Sequence, residues 1–354
     1  MFFRLSKEEN KKFSLKKTIF NASILAGAVL LSGIDQGVQA KPSSIVAVEP
    51  LTCDLVKAIA LPSKPVNCLI DRKQDVHDVK ISPRQAQALK NASQVFTLGQ
   101  EMTPAMKKWL DNPITVVVGV SAIEIDVRDD HSTAKHDDHD DHGGDDIEPI
   151  AQVPDEDGDH HHHHDHGGLD PHIWHDPHNI IKMGNVISKN LNKKISFFDR
   201  ETKKVLKERT QAVNSILEDL DQWTQRQVAT IPSNQRTIVS KHKAMEYYGD
   251  AFGLKTISLL DVLGHSSSLR PQTISKVITE LREENVQVIF PEQKPPSKLL
   301  KNLSRQTSTP IAKQQIFVDG LMPTGNTISV AVHNTCTVVD SLGGSCNKNT
   351  GNQR

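Results

Sequence analysis

From residue 44 onward the chain alternates short, nearly continuous apolar runs with stretches whose apolar positions recur every three or four residues. The short runs suit strands buried on both faces of a parallel sheet, and the three-to-four step suits helices with one apolar stripe. The pattern predicts strands at 44–49, 66–70, 94–98 and 114–118, with helices at 53–60, 84–92 and 104–110 between them. Ser82 before Pro83 marks one helix start, a hydroxyl N-cap with proline in the first turn. From 177 to about 230 the pattern is helical throughout. A first helix is expected to end near Lys193, and Ser196 with Asp199 reads as a capping box opening a second. In that second helix Leu206, Val213, Ile216, Leu217, Leu220 and Trp223 form one stripe. Roughly thirty residues would span about 45 Å, enough to brace two domains. After Pro232 the alternation resumes, with strands expected at 237–240, 255–260, 286–291 and 310–318 and helices at 244–252, 271–284, 296–306 and 326–342. The fold class is α/β: two lobes with parallel sheets joined by a long helix.

Two segments stand outside this pattern. Arg4, Lys7, Lys11, Lys12, Lys16 and Lys17 precede an apolar stretch at 22–31, too short to span a bilayer, and small residues lead to Ala40. That order is expected of a secretory signal peptide, 1–40, cleaved after Ala40 to release a soluble periplasmic protein. The second is 126–169, rich in Asp, His and Gly and without apolar periodicity, expected to be disordered without metal. Its acidic part, 129–166, sets fourteen Asp/Glu against one lysine, so the rest of the mature chain is net positive. No basic–aromatic cluster accompanies that positive charge, and no nucleic-acid partner is expected. Domain limits follow: an N-terminal lobe at 41–195, a connecting helix at 196–230 and a C-terminal lobe at 231–354, its tail from Asn347 frayed. The four cysteines, Cys53, Cys68, Cys336 and Cys346, suit an exported chain. Three pairings are possible, and the sequence-close ones, Cys53–Cys68 and Cys336–Cys346, are expected. No C-x-x-C spacing points to metal ligation by them.

Candidate chemistry lies just beyond predicted strands. His77 follows the second, His172 follows the acidic segment, His242 follows the 237–240 strand and Asp319 follows 310–318. Ligands of open parallel α/β sheets bind at the carboxyl ends of strands, so these four could converge on one cleft. Three neutral imidazoles and one carboxylate suit tetrahedral Zn²⁺, whereas manganese prefers more oxygen ligands.

The chain resembles the zinc-specific substrate-binding proteins of ABC importers over nearly all of 44–343. The resemblance is carried by Gly99-Gln-Glu101-Met, by 170–177 (Asp-Pro-His-Ile-Trp-His-Asp-Pro), by 239–247 with 252–254, by Phe290-Pro-Glu-Gln293 and by Val318-Asp-Gly320. It implies two (β/α)4 lobes, a rigid connecting helix that limits closure, and a metal site in the inter-lobe cleft. The family's three histidine ligands fall on His77, His172 and His242, and its C-terminal carboxylate on Asp319, which water replaces in some members. It also implies delivery of Zn²⁺ to the membrane permease of an ABC importer by a receptor expected to act as a monomer. Two positions depart from the family pattern. His175 stands where an apolar residue is usual, and Lys243, expected to face solvent, stands where an acid is usual.

The acidic segment resembles the histidine-rich insert of the zinc members. His131, His136, His139 and His142 form one group of auxiliary zinc ligands, and His160, His161, His162, His163, His164 and His166 another. Imidazoles beside carboxylates can collect zinc weakly, sense it, or simply form a tolerated acidic loop. His175 and His178 read as exposed helix-cap residues, with extension of the site as the alternative; His265 and His333 read as structural or surface. Glu292 can orient a ligand histidine or hold the neighbouring loop by hydrogen bonding. Enzyme signatures such as H-E-x-x-H and G-x-S-x-G are absent, and the chain is not expected to be an enzyme. Two other readings stay open: a manganese or other divalent-metal receptor of the same fold, and a zinc hydrolase with Glu292 as base.

Overall fold

The computed structural model describes residues 44–125, 169–263 and 271–348; the leader, the histidine-rich segment at 126–168 and His265 lie outside them. The first unit holds β1 (Ile45–Ala47), α1 (Pro50–Ile59), β2 (Val66–Cys68), α2 (Pro83–Lys90), β3 (Gln94–Thr97) and β4 (Thr115–Val117). Its sheet is all parallel, in the order β2-β1-β3-β4. Val46, Ala47, Val48 and Phe96 are fully buried, as the continuous apolar runs require. Ser82 caps α2 in a complete capping box with Gln85. Helix α1 begins three residues earlier than the apolar spacing indicated, with Pro50 in its first turn. The residue before it, Glu49, is buried and accepts from Thr52 Oγ1, Thr97 Oγ1, Thr103 Oγ1 and Leu98 N at 2.7–3.0 Å, pinning the end of β1 to the end of β3. The helix expected at 104–110 is a tighter 3-10 segment, Pro104–Trp109.

Two helices follow, α3 (Pro177–Lys193) and α4 (Arg200–Val228). Asp199 caps α4, accepting from Thr202 N at 3.0 Å. The expected Ser196 box does not form, because Asp199 stands adjacent to the first helical residue and its shorter reach closes the turn. Leu206, Val213, Leu217, Leu220 and Trp223 of α4 pack into the core of the first unit, while Val228 joins that of the second. Ile216, expected in the same stripe, is only partly buried. Arg209 of α4 donates to the carbonyls of Lys57, Ala58 and Ile59, satisfying the open end of α1.

The second unit contains β5 (Thr237–Ser240), α5 (Glu246–Phe252), β6 (Lys255–Ser258), α6 (Leu259–Leu263), α7 (Pro271–Glu283), α8 (Lys298–Thr307) and α9 (Thr327–Ser341). Gly253, at φ +70°, ends α5 in the left-handed conformation that only glycine adopts cheaply. Strands β5 and β6 pair in parallel, but the stretches expected as strands at 286–291 and 310–318 form no continuous ladder. They meet at one parallel bridge, Ile289 to Ile311, and Phe290 N donates to Val239 O of β5 at 2.9 Å. Pro291 and Pro310 lack the N–H that a longer ladder needs. The path still runs β6, β5, 289, 311, the same layout as the first sheet.

Cys53–Cys68 ties α1 to β2, and Cys336–Cys346 ties α9 to the following segment, as the spacing suggested. Asn347 is docked rather than frayed: its N–H donates to Gln227 Oε1 and its carbonyl accepts Trp223 Nε1. Between the units, Asp54 Oδ2 of α1 accepts from Thr327 N and Oγ1 at the start of α9, and Arg72 donates to Met322 O and Gly325 O. No helix among the described residues is long and apolar enough to cross a membrane.

Candidate metal centre

Each of the four expected residues hangs on an irregular segment beyond a sheet. His77 and His172 belong to the first unit, in the loop after β2 and just before α3; His242 follows β5, and Asp319 ends the 316–318 stretch. The two histidines of the first unit are set by the same local device. An aspartate two positions earlier, Asp75 or Asp170, accepts the histidine backbone N–H on its Oδ1 at 2.9 Å. The second-unit histidine is set by Glu292, whose Oε1 accepts from Lys241 N and His242 N at 2.7 and 3.1 Å.

The structure brings all four together. Nε2 of His77, His172 and His242 lies 3.3, 3.2 and 3.1 Å from the same oxygen, Asp319 Oδ1. The four candidate donor atoms fall within 4.8 Å of one another. A tetrahedral ion with bonds of about 2.0–2.1 Å has donor–donor edges of about 3.3 Å, the length of these separations. The His172 side chain is fully buried, that of His77 is 2% and of His242 13% exposed, and Asp319 keeps 37%.

The opposite ring nitrogens decide the tautomers. His172 Nδ1 meets Asp170 Oδ1 at 2.7 Å and His242 Nδ1 meets Glu292 Oε2 at 2.8 Å. A carboxylate there requires N–H at Nδ1, so each neutral ring turns its Nε2 lone pair toward Asp319. Lone pairs facing a carboxylate oxygen repel, and only a cation, proton or metal, reconciles them. The ionisation equilibria say the same. Burial pulls His172 and His242 down, but the carboxylates around them outweigh it; His172 is raised and His242 raised well above its ordinary 6.5. Asp319 is pushed up by desolvation and pulled further down by His242, His172 and His77, ending well below 3.8. Asp170 is likewise held low by His172 against its burial.

Other expectations fare differently. His175 is not an exposed cap: it is buried, and its Nε2 contacts Val318 O at 3.1 Å, next to Asp319. The 3-10 segment Ile173–His175 turns this side chain inward, a direction helix-cap reasoning does not anticipate. Burial and the neighbouring His172 lower its pKa to about 4, so the ring is neutral and donates to that carbonyl. His178 is half exposed, as expected, but Asp176 is the cap of α3, accepting the His178 backbone N–H at 2.9 Å. Lys243 is exposed, and His333 serves structure, meeting Gln315 O at 2.8 Å. Glu292 takes both roles read for it, holding the neighbouring 241–242 loop and orienting His242. Asp170 was missed as an orienting group, although the recurring Asp-x-His spacing at 75–77 and 170–172 was a visible signal.

Three imidazoles and a carboxylate meeting at one point, contributed by two α/β units on a shared long helix, define a bilobed receptor for a metal ion. The chain belongs to the family described as ZnuA, zinc-uptake complex component A, periplasmic, which it matches over residues 45–341. Members are solute-binding receptors of metal ABC importers, not enzymes, so the chain serves a membrane permease and a metal ion. It is 24% identical over 337 residues to a manganese-binding lipoprotein, MntA, of Halalkalibacterium halodurans, covering 93% of this chain and 99% of the relative. Its fold is similar to that of the periplasmic zinc-binding protein TroA of Treponema pallidum, with a TM-score of 0.65, 19% identity and coverage of 85% and 99%. Fe(III)-bound YtgA of Chlamydia trachomatis is similar at a TM-score of 0.63 and 19% identity, covering 86% and 99%.

Proposed function

We propose that this receptor carries Zn²⁺, held by His77, His172, His242 and Asp319, and delivers it to the permease of a zinc importer. One observation carries the reading: three Nε2 atoms meet one carboxylate oxygen at 3.1–3.3 Å, and carboxylates on the far side of two rings fix their lone pairs inward. Three nitrogen donors to one oxygen favour zinc over manganese, which takes more oxygen ligands. The manganese reading rests on the names of several relatives, among them the one from Halalkalibacterium halodurans. Under the zinc reading, the histidine-rich segment collects extra, weakly held zinc, and the receptor is exported by cleavage after Ala40 and acts as a monomer. Lobes at 41–195 and 231–354 then flank the connecting helix at 196–230. The hydrolase reading loses its base, since Glu292 already receives both backbone N–H groups and the His242 ring.

Competitive titration of the mature protein against a chelator, with zinc and then manganese, tests the proposal. One tight zinc equivalent and weak manganese is the expected result. Equal affinities would establish a general divalent-metal receptor, and tight binding retained in a His77→Ala, His172→Ala double variant would remove these residues from the site.

A further inference from the structure

The turn between α3 and α4 departs from the burial of large apolar side chains seen elsewhere. Phe197 and Phe198 stand there 79% and 88% exposed, and with Leu169 they are the exposed large hydrophobics among the described residues. A single exposed apolar side chain is ordinary, whereas two adjacent rings form one patch. Their centroids lie 5.5 Å apart at an interplanar angle of 83°, an edge-to-face pair presented to solvent. Basic residues surround the pair. From 193 to 207 the chain sets Lys193, Lys194, Arg200, Lys203, Lys204 and Lys207 against Asp199 and Glu201. All of these basic residues but Lys203 are exposed, and Lys203 Nζ lies 5.2 Å from the centre of the Phe197 ring, within cation–π reach. Arg200, Lys203, Lys204 and Lys207 recur at steps of three and four, so they share one face of α4 beside the rings. Asp199 is occupied as the helix cap.

We propose that this turn is a peripheral membrane contact, in which Phe197 and Phe198 enter the interfacial zone of an anionic bilayer and the surrounding cations bind its phosphates. Interfacial segments divide the work in this way: apolar rings sink to the boundary of headgroup and acyl chain, while lysine and arginine stems reach up to the charge. Two turns of α4 cover about 10 Å from Arg200 to Lys207, so these charges stay within about one Debye length of the surface at 0.1 M salt. A second copy of the chain suits the turn less well, because pairing two such turns sets like charge against like. An anionic membrane surface supplies the opposite charge and an apolar layer together. The place of the turn agrees with the work of the protein, whose permease lies in a membrane. A receptor held loosely at that membrane meets the permease by diffusion along a surface. His172 precedes the start of α3 and the turn follows its end, so a helix of 17 residues separates the metal centre from the turn by about 26 Å. Contact at the turn therefore leaves the metal donors clear of lipid.

The inference uses none of the metal ligands, so it stands or falls apart from the proposed cargo. Flotation of the mature protein tests it, with vesicles of phosphatidylethanolamine and phosphatidylglycerol and with vesicles of phosphatidylcholine alone. The protein should float with the anionic vesicles, less so as salt rises, and stay behind with the neutral ones. A Phe197→Ser, Phe198→Ser variant should bind at least about tenfold more weakly, since two rings lose their burial. A Lys203→Gln, Lys204→Gln, Lys207→Gln variant should lose roughly fivefold per charge removed and show a flatter salt dependence. Both variants should keep the metal affinity and melting temperature of the parent, which separates loss of lipid contact from loss of fold. A Phe198→Trp variant should shift its added emission to the blue with anionic vesicles, as the ring leaves water. No flotation with anionic vesicles at low salt, undiminished flotation of the double Phe variant, or equal binding to phosphatidylcholine would each overturn the proposal. Binding that needs both rings but occurs only when the permease is present in the vesicles would also overturn it, in favour of a protein partner.

Discussion

At Asp319 one oxygen faces three ring nitrogens, and under the proposed reading a metal ion and protons compete for the place among them. Because His172 and His242 are raised, their protonation contributes stability to the zinc-free chain that is full below 6.5 and is lost as pH rises through the raised folded values. Asp319 works in the opposite sense: held low, its ionised form contributes stability above its ordinary 3.8 that is lost as pH falls through the depressed folded value. The zinc-free chain should therefore be most thermostable in mildly acidic buffer. The increment added by zinc should grow from about pH 5 to about pH 8, as ring protons cease to compete. Calorimetry with chelator and with zinc across that range checks this, and a zinc increment flat in pH would contradict it. Glu292→Gln keeps the ligands but weakens the hold on the His242 tautomer, and should weaken zinc by about 10–100-fold. His242→Ala removes a ligand outright and should cost more than that in the same chelator competition. That His77, His172, His242 and Asp319 could meet was legible in the sequence from positions beyond strand ends and from the family resemblance. The inward turn of His175 was not, since it depends on three residues winding as a 3-10 turn rather than as the first turn of α3.

Among the elements, α4 shows where local signals stop being decisive. Ser196 and Asp199 both carry a capping oxygen, and sequence spacing favoured the first, whereas the chain uses the residue adjacent to the helix. Asp199→Ala should lower the denaturation midpoint, and Ser196→Ala should lower it much less. Arg209 bonds three terminal carbonyls of α1 and is partly buried. Arg209→Met keeps much of the packing but leaves those carbonyls without their donor, and should cost about 1–3 kcal/mol. The first sheet was readable because its central strands, β1 and β3, are buried runs and none of its four strands contains proline. The later segments were overread because an apolar run marks burial, while ladder continuity also needs donors that Pro291 and Pro310 lack.

For the molecule as a whole, both lobes carry a disulfide, and the pairs close loops with sequence separations of 15 and 10. A Cys53→Ser, Cys68→Ser variant should lose about 3 kcal/mol on the chain-entropy account, measured by denaturation at fixed zinc. The lobe arrangement was legible from the alternation of elements and the length of α4. The bonds that set one lobe against the other were not, because Asp54 reaching the start of α9 and Arg72 reaching Gly325 join residues some 250 positions apart.

The ring of Trp174 sits edge-on to His172, with centroids 5.4 Å apart. An indole in such contact with an imidazole is quenched when that imidazole is charged, and the exchange of a ring proton for a metal ion alters the quenching. With only three tryptophans in the chain, the protein carries its own optical gauge of occupancy. Filling and emptying of the cargo site can be followed in real time by emission from the unlabelled protein.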